Sequence, residues 1–580
     1  MVAAVGVAAP AISGGSGADP RTPPGLPGKA PPFLGTAVVG GGRLTAAVDS
    51  YGDVVDLRVP GPAGRALIEN SAARQVAGTV PADTGIVPRV SIGGSHALPL
   101  WRATWVRQTY LPGTNVLRTV AWIGSARVEI TYAARGETLA QVIKVSPGWE
   151  RGAAVHRTIN AVADRINVEL DDGLRCNQAR WRRRVFLVCS VGRAEATAAP
   201  QIVRAAVEED RGWVGHARPL GPGAPGWARQ MYERSLLVLR ALSDGQTGAV
   251  VAGLRDGWAY VWPRDASAVA IALASAGYRP EASRVARFLL GLDLASAARF
   301  RGTGEPVGGR AAQGDACGWV AAAARATGAG LDGRSPPLPQ LPRGCTTRWR
   351  SRPDYQEGDP GDYLANAVAA ASTTAIDGPK TSLYDTKSAR RAEIGGIRRG
   401  FGTSSGMLAR RAGDPGSGLD AAAAWAIRPF SLQPLYPLAR RTLLRLAARS
   451  PRFGTVPSED WSGGNDPWTA PTAWSAWSLA TLARGAPGRE DASRRDTYAV
   501  RENSTARRNT PMDLRASSAA GRLDRRAALR LLGALRRAAT PAGLLPERVD
   551  AGTGVPRSTT PLAWSHAFAI LALRQLWPTR

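Results

Sequence analysis

The sequence contains few cysteines and histidines, which limits the metal and disulfide chemistry open to it. Among its 580 residues are four histidines and four cysteines, and no two cysteines have the C-x-x-C spacing of zinc ligands. We therefore expect no metal and no cofactor. If the protein is exported, we expect disulfides between cysteines that are near in sequence, Cys176 with Cys189 and Cys317 with Cys345, whereas in the cytosol all four would be free thiols.

Long apolar runs are also absent. No stretch of about 18 consecutive apolar residues occurs, so we expect no membrane-spanning helix. Residues 1–14 are small and mildly apolar but lack the basic start of a secretion signal. A truncated signal and a disordered tail both fit this pattern, so cytoplasmic and secreted locations stay open.

Lysine is nearly missing, although the net charge is +28. Such a charge ordinarily suggests a nucleic acid or a membrane surface as partner. Here the positive charge comes almost wholly from arginines spread along the chain, and the only lysines are Lys29, Lys144, Lys380 and Lys387. This pattern indicates a composition bias rather than a binding face, so we expect no nucleic-acid partner and a monomer.

The periodicity of the chain divides it into two large regions. Residues 1–34 are rich in Gly, Pro and Ala and form a predicted disordered tail. Short alternating or β-branched runs separated by turns predict an antiparallel β-sandwich over residues 35–215. From residue 220 to the end the period is helical, with predicted loop insertions near 335–352, 379–418 and 486–518.

The segment Gly257–Asp265 has the composition of a sugar-binding surface. The rings of Tyr260 and Trp262 can lie against a pyranose, while Arg264 and Asp265 can bind neighbouring hydroxyls. A tryptophan-rich loop packed on a core is the alternative, because buried Arg–Asp pairs are often structural.

A helical hairpin is predicted directly after this segment. Residues Ala266 to Ala276 are apolar all round, which is typical of a buried helix. Gly277 can cap that helix, and a second helix follows from Glu281 to Leu290. The segment is therefore expected at the mouth of the hairpin.

Carboxylates beside aromatic residues recur in the loops before the helices of this second region. They are Asp315, Asp354, Glu357, Glu459, Asp460 and Glu547, and the nearby aromatic candidates for substrate contact are Trp319, Trp461, Trp468 and Trp564. Taken singly, each carboxylate is more often a helix cap or a surface ion pair. In a helical barrel, however, such loops can converge on one end and build a site.

Four motifs, in this order behind a β domain, resemble those of glycoside hydrolase family 15. They are Trp262-Pro-Arg-Asp265, Gly464-Asn-Asp-Pro-Trp468, Leu545-Pro-Glu547 and Pro561-Leu-Ala-Trp-Ser565. The resemblance is to the bacterial branch of this glucoamylase-like family. It implies a β-sandwich followed by an (α/α)6 barrel, and inverting hydrolysis that releases glucose from the non-reducing ends of α-glucans.

The resemblance also implies roles for individual residues. Arg264 and Asp265 would hold the hydroxyls of the terminal glucose, with Glu357 as general acid and Glu547 as general base. The sequence departs from the family pattern at Gln356, where an aromatic residue is usual. The further substrate-binding candidates are Tyr260, Trp262, Asp315, Trp319, Trp461, Trp468 and Trp564.

Three functional hypotheses stay open at this level. The first is an inverting α-glucosidase. The second is a degenerate relative that binds glycans without hydrolysing them, for which Gln356 is the main support. The third is a phosphorylase on a similar barrel, which needs a phosphate site; arginines are available, but no Gly-rich anion nest is apparent.

Overall fold

The computed structural model describes thirteen stretches of the chain. They are residues 36–69, 85–91, 98–123, 126–147, 160–162, 174–181, 184–193, 195–254, 257–329, 342–345, 351–373, 383–485 and 511–579. The predicted tail, residues 1–34, and most of the predicted insertions at 335–352 and 486–518 lie outside the described residues.

The first half of the described chain is antiparallel β structure, as the alternating sequence pattern predicted. Its strands are β1 (Ala37–Gly40), β2 (Thr45–Val48), β3 (Val54–Val59), β4 (Arg65–Glu69), β5 (Arg89–Ser91), β6 (Leu98–Pro99), β7 (Trp105–Tyr110), β8 (Leu117–Ile123), β9 (Ala126–Arg135), β10 (Thr138–Pro147), β11 (Asn160–Val162), β12 (Arg175–Trp181) and β13 (Arg184–Ser190). Strands β1 to β4 form one sheet in sequence order, and a six-stranded sheet has the order β12-β13-β10-β9-β8-β7. A three-stranded sheet has the order β11-β5-β6.

Alternation of buried and partly exposed residues along the strands explains why the large sheet forms. Along β8 every second residue is buried, and its partner β9 buries Val128, Ile130 and Tyr132 on the same alternation. Both expected cysteine pairs are disulfides. Cys176–Cys189 joins β12 to β13, and Cys317–Cys345 joins the helix Ala316–Thr327 to residues 342–345.

A helix, α1 (Ala199–Gly215), lies inside the region predicted as β up to residue 215. The helical period of Val203, Ala206 and Val207 places one face of α1 against the large sheet. The two halves of the chain then meet through buried Arg234, which donates to Asn115 Oδ1 at 3.0 Å and to the Thr114 carbonyl at 2.7 Å.

The second half of the described chain is mainly helical. It contains α2 (Gly226–Ala241), α3 (Pro263–Ala276), α4 (Arg279–Leu290), α5 (Ala316–Thr327), α6 (Leu364–Ala371), α7 (Leu383–Phe401), a 3₁₀ helix (Ala421–Ala426), α8 (Tyr436–Arg449), α9 (Thr469–Ala483), α10 (Pro511–Ala538) and α11 (Ala563–Leu576). The predicted hairpin is confirmed as α3 and α4, with Gly277 at φ 104° as the cap. Within the described residues, no helix is long and apolar enough to cross a membrane.

Six of these segments are buried and contact one another in a closed cycle. The order is α3, α5, α6, the 3₁₀ helix, α9 and α11, which returns to α3. Their sequences are rich in alanine and tryptophan, whereas the arginine-striped α8 and α10 keep an exposed face outside the cycle. The alanine- and tryptophan-rich segments are thus the inner ones, and the arginine-striped helices lie outside them.

Two predicted loops contain regular structure. Residues 379–418 include α7 and a hairpin of β14 (Ala409–Arg411) and β15 (Asp414–Leu419), where no periodicity was expected. The signal was present but sparse, because over residues 388–401, where the structure describes the side chains, Ile394, Ile397 and Phe401 are the buried apolar residues among many arginines. Likewise α10 begins at Pro511, inside the predicted insertion 486–518.

Candidate active site

The residues singled out by the motifs lie where the inner helices begin. Arg264 and Asp265 form the first turn of α3, Asp315 is the N-cap of α5, and Trp468 is the N-cap of α9. Glu547 lies next to Trp468, since its carbonyl oxygen accepts a hydrogen bond from the first residue of α9 at 2.9 Å. The helix starts therefore converge on one end of the cycle.

The guanidinium of Arg264 is the centre of this arrangement. Its Nη1 donates to Gln313 Oε1 at 2.7 Å and to Asp315 Oδ2 at 3.0 Å, and its Nε lies 3.2 Å from Asp265 Oδ1. The ring centroid of Trp564 lies 4.6 Å from the guanidinium carbon. Arg264 is thus fixed between two carboxylates, an amide and an indole.

Burial sets the charge state of this pair. It raises the pKa of Asp265 to about 6, although the positive charge of Arg264 opposes the shift. Burial alone would lower the pKa of Arg264, but Asp315 and Asp265 outweigh it and the pKa is raised. The pair can present a fixed acceptor to sugar hydroxyls, and its burial is equally compatible with a structural role.

Glu357 is held by groups that are distant in sequence. Its Oε1 accepts hydrogen bonds from Trp262 Nε1 at 3.0 Å and from Gln313 Nε2 at 3.3 Å, and its Oε2 forms an ion pair with Arg310. Its backbone is in the left-handed region, with φ 57°, which is uncommon outside glycine and often marks functional sites. Its side chain is 28% exposed, so it faces the opening of the cycle.

Tyr355, two residues earlier, does not line the opening of the cycle. It is buried, its hydroxyl donates to Asp420 Oδ1 at 2.8 Å, and its ring packs against Trp425 and Trp474. The carbonyl oxygen of Pro457 lies at the same distance from the hydroxyl, 2.8 Å, and is a second acceptor. Tyr355 therefore anchors the loop that carries Glu357.

The neighbours of Tyr355 are also bound into the protein. Asp354 is fully buried, which raises its pKa, and it lies 3.4 Å from Arg410 Nη2. The side-chain oxygen of Gln356 accepts a hydrogen bond from Ser458 Oγ at 3.1 Å. A phenylalanine or tryptophan side chain at position 356 could not accept this bond. Gln356 therefore links its loop to the loop of Ser458.

Glu547 is in a different environment from Glu357. It is 8% exposed, and burial together with the nearby charge of Asp265 raises its pKa to about 7. A hydrogen bond from Ser558 Oγ and the positive charges of Arg548 and Arg310 oppose that shift.

The loop that carries Glu547 is fixed by a buried histidine. The backbone N–H of Leu545 donates to His566 Nε2 at 3.0 Å, so Nε2 must be the unprotonated nitrogen. Nδ1 then carries the proton and donates to Ser235 Oγ at 2.9 Å. Burial lowers the pKa of His566 to about 3, which keeps the ring neutral and this geometry stable.

Arg310 interacts with both glutamates. It pairs directly with Glu357. Burial and the charge of Arg299 lower the pKa of Arg310, and the charge of Glu547 opposes that shift. In the ligand-free site the Arg310 ion pair favours ionised Glu357, whereas burial favours protonated Glu547.

The remaining aromatic candidates form two groups at the site. The guanidinium carbon of Arg299 lies 4.8 Å from the ring centroid of Tyr260 and 5.8 Å from that of Trp262. Trp461 packs edge-on against Trp468, with ring centroids 5.4 Å apart. Tyr260 and Trp461 are partly exposed, whereas Trp262 and Trp468 are buried.

Two tryptophans lie deeper than expected for substrate contact. Trp319 is 0% exposed and meets Trp425 and Phe568 edge-on in the core, because the buried helix α5 turns its side chain inward. The structure thus places it away from any surface that a sugar can reach. Trp564 is also buried, but it supports Arg264 directly.

Glu459, another of the carboxylates that stand beside aromatic residues in the sequence, is bound elsewhere. One carboxylate oxygen pairs with Arg449 at 2.6 Å, and the other accepts the backbone N–H of Leu419 at 3.0 Å. Arg449 is 55% exposed, so this is a surface ion pair.

Three residues of the site were not predicted from the sequence: Arg310, Gln313 and Ser558. Gln313 stands two residues before Asp315, which was predicted as a site residue, so its position was a usable signal. Nothing in the sequence separates Arg310 from the many other arginines, or Ser558 from other loop serines.

Comparison with known proteins supports the resemblance. The family described as glycosyl hydrolases family 15 matches residues 226–298, which include α2, α3, α4 and the Trp262–Asp265 motif. A bacterial glucoamylase solved in complex with acarbose has a similar fold, with a TM-score of 0.61 and 14% identity, covering 97% of this chain and 96% of that one. A glucoamylase from Saccharomycopsis fibuligera is 13% identical with a TM-score of 0.45, covering 60% of this chain and 94% of that one. No curated protein sequence matches the chain. The chain is therefore similar to the glycosyl hydrolases of family 15 over residues 226–298, and it shares the fold of a bacterial glucoamylase.

Proposed function

We propose that this protein is a glycoside hydrolase that releases glucose from the non-reducing ends of α-glucans or α-glucosides with inversion. The observation that carries the proposal is the pair Glu357 and Glu547, held at one end of the helical cycle and both interacting with Arg310. The Arg264–Asp265 pair lies beside them, and the charge of Asp265 acts on Glu547. The match to glycosyl hydrolases family 15 over residues 226–298 supports the same activity.

The proposed architecture is a β-sandwich of residues 35–215 and an (α/α)6 barrel of residues 220–580. The closed cycle of six buried segments supports an inner ring. Further support comes from α2, α4, α7, α8 and α10, which contact the inner segments from outside.

In the proposed mechanism Glu357 protonates the leaving oxygen and Glu547 activates water on the opposite face of the sugar. Inverting enzymes separate these two carboxyl groups by roughly 6.5 to 9.5 Å to leave room for the water. Trp262 and Gln313 orient Glu357, while Ser558 and the His566-anchored loop orient Glu547. Arg264 and Asp265 hold the hydroxyls of the terminal glucose.

These roles require a change from the ligand-free charge state. A general acid must carry a proton, but the ion pair with Arg310 favours the ionised form of Glu357. We therefore expect the leaving-group part of the substrate to displace Arg310 from Glu357. The displaced guanidinium then lies nearer Glu547, where its positive charge favours the ionised form of this base.

Phosphorolysis is the second candidate, because Arg310 and Arg299 are cations beside the cleft. An inverting phosphorylase uses phosphate as the nucleophile in place of base-activated water. Glu547 stands where that anion would have to bind, and its ionised form would repel phosphate. The glutamate therefore favours hydrolysis over phosphorolysis.

The test is a turnover assay on maltose, isomaltose, trehalose and maltodextrin, in phosphate-free buffer and in phosphate. The proposal predicts glucose release from at least one substrate at a rate that phosphate does not increase. Phosphate-dependent release of glucose 1-phosphate would show a phosphorylase. Binding of these sugars without turnover of any would show a degenerate glycan-binding relative.

A further inference from the structure

A cavity of about 560 Å³ lies at the junction of the β half and the helical half. One wall comes from β3, β4 and the turn between them, and includes Arg58, Ala66 and Glu69. The other wall comes from the segment before α3 and the loop after α4, and includes Tyr260 and Arg301. Its volume is within the range of pockets that bind small organic ligands, about 300 to 1,000 Å³.

Close packing fixes the two walls relative to each other. A Cβ added to Gly302 in the helical half would lie 2.6 Å from the Ala63 Cβ of the β half. A Cβ added to Gly61 would lie 2.6 Å from Asp244 Oδ2. The cavity is therefore a built feature of the junction, because Gly61 and Gly302 each pack directly against a side chain of the opposite half and leave no room for a side chain of their own.

Of the charged side chains that line the cavity, Arg58, Glu69 and Asp244 are engaged in ion pairs or hydrogen bonds, and Arg65 and Arg301 line it as well. Arg58 Nε lies 2.9 Å from Asp56 Oδ1, and Arg58 Nη2 lies 3.5 Å from Glu69 Oε1. Asp244 Oδ1 accepts two backbone N–H bonds, at 2.8 and 2.9 Å. Paired charges beside the partly exposed ring of Tyr260 suit a neutral, hydroxyl-rich ligand better than a free anion.

A line of contacts leads from this cavity to Glu357. Tyr260 lines the cavity and packs under Arg299, which also lies over Trp262. Trp262 in turn donates to Glu357. Since the general acid protonates the leaving oxygen, the leaving-group part of a substrate lies on the Glu357 side of the cleft.

We propose that the junction cavity binds the distal glucose units of an α-glucan whose terminal unit is in the active site. The proposal rests on the proposed function for the identity of the sugar. Under it, the β half is part of the substrate site and sets the preference for chain length. The preferred substrate is then an oligosaccharide longer than a disaccharide.

Binding measurements on a variant that does not turn over its substrate test this proposal. In Glu547→Gln, dissociation constants are measured by calorimetry for maltose and maltopentaose. We expect maltopentaose to bind at least about tenfold more tightly than maltose, equivalent to about 1.4 kcal/mol. Equal affinity for the two sugars, or no binding of either, would overturn the proposal.

A second substitution tests whether the junction cavity causes the difference in affinity between maltopentaose and maltose. Ala66 pairs with Arg58 across β3 and β4 and is partly exposed, so Ala66→Trp should fill the cavity without disturbing the sheet. Added to Glu547→Gln, it should weaken maltopentaose binding about tenfold and alter maltose binding less than about twofold. Arg107→Trp, at an exposed position of β7, is the matched control and should alter neither. Unchanged maltopentaose affinity in Ala66→Trp would exclude the cavity as the distal site. The turnover assay on the unmodified protein tests the hydrolase proposal separately.

Discussion

The two glutamates at the cleft are held in different ways. Glu547 lies on a buried loop fixed by His566, and burial raises its pKa to about 7. Glu357 lies on a partly exposed loop in the left-handed backbone region, and its charge is balanced by the solvent-exposed side chain of one arginine, Arg310. The environment of Glu547 is therefore set by the fold, whereas that of Glu357 can change when a ligand enters.

The largest expected effect is that of Glu547→Gln. The neighbouring carboxylate of Asp265 cannot replace the base, because it is already paired with Arg264. We expect the loss of hydrolysis for all substrates, roughly 10⁴-fold in kcat. Glu459→Gln, at the surface pair with Arg449, is the matched control and should retain wild-type rates. Residual activity of Glu547→Gln above a few per cent would move the base elsewhere.

Asp265→Ala should have the next largest effect. A hydroxyl clamp acts on substrate and transition state alike, so its loss should lower kcat/KM on the order of 10³-fold. Steady-state kinetics and thermal unfolding need to be measured together, because Asp265 is buried. A folded variant with near wild-type kcat/KM would show that the Arg264–Asp265 pair is structural.

Glu357→Gln should separate substrates by their leaving groups. We expect a loss of roughly 10² to 10⁴-fold on maltose, whose leaving oxygen needs a proton. Hydrolysis of α-glucosyl fluoride, whose leaving group needs none, should stay within about tenfold of wild type. Equal losses on both substrates would contradict the acid assignment.

Arg310→Gln should change the pH profile more than the maximal rate. The charge of Arg310 opposes the raised pKa of Glu547, so its removal should raise that pKa further. In the unmodified protein kcat/KM should fall as the pH falls below about 7, because Glu547 must be ionised as the base. In Arg310→Gln the limb set by Glu547 should move to higher pH. An unmoved limb would show that Arg310 does not control the ionisation of Glu547.

The smallest effect concerns the net charge of +28. If the arginine excess is compositional, the protein should elute from heparin at modest salt, with a shallow dependence of binding on salt concentration. A steep dependence would indicate many released counterions and a nucleic-acid site.

Local motifs were predictable because their residues act together within a few positions. Trp262 to Asp265, and the helical hairpin after them, follow from composition and period alone. The partners of Glu357 were not predictable, since Arg310 and Gln313 reach it only through the packing of separate loops. Tyr355 shows the same limit, because its inward direction is decided by the buried carboxylate of Asp420. For α7, frequent arginines obscured a buried face of only a few apolar residues.

The most direct test of the account is the anomeric form of the first product. Proton NMR, recorded within the first minutes of hydrolysis of maltose or maltodextrin, distinguishes newly released β-glucose from α-glucose before mutarotation mixes them. Two opposed carboxylates acting as acid and base predict β-glucose as the initial product. Initial release of α-glucose would contradict the account, because one glutamate would then have to act as a nucleophile.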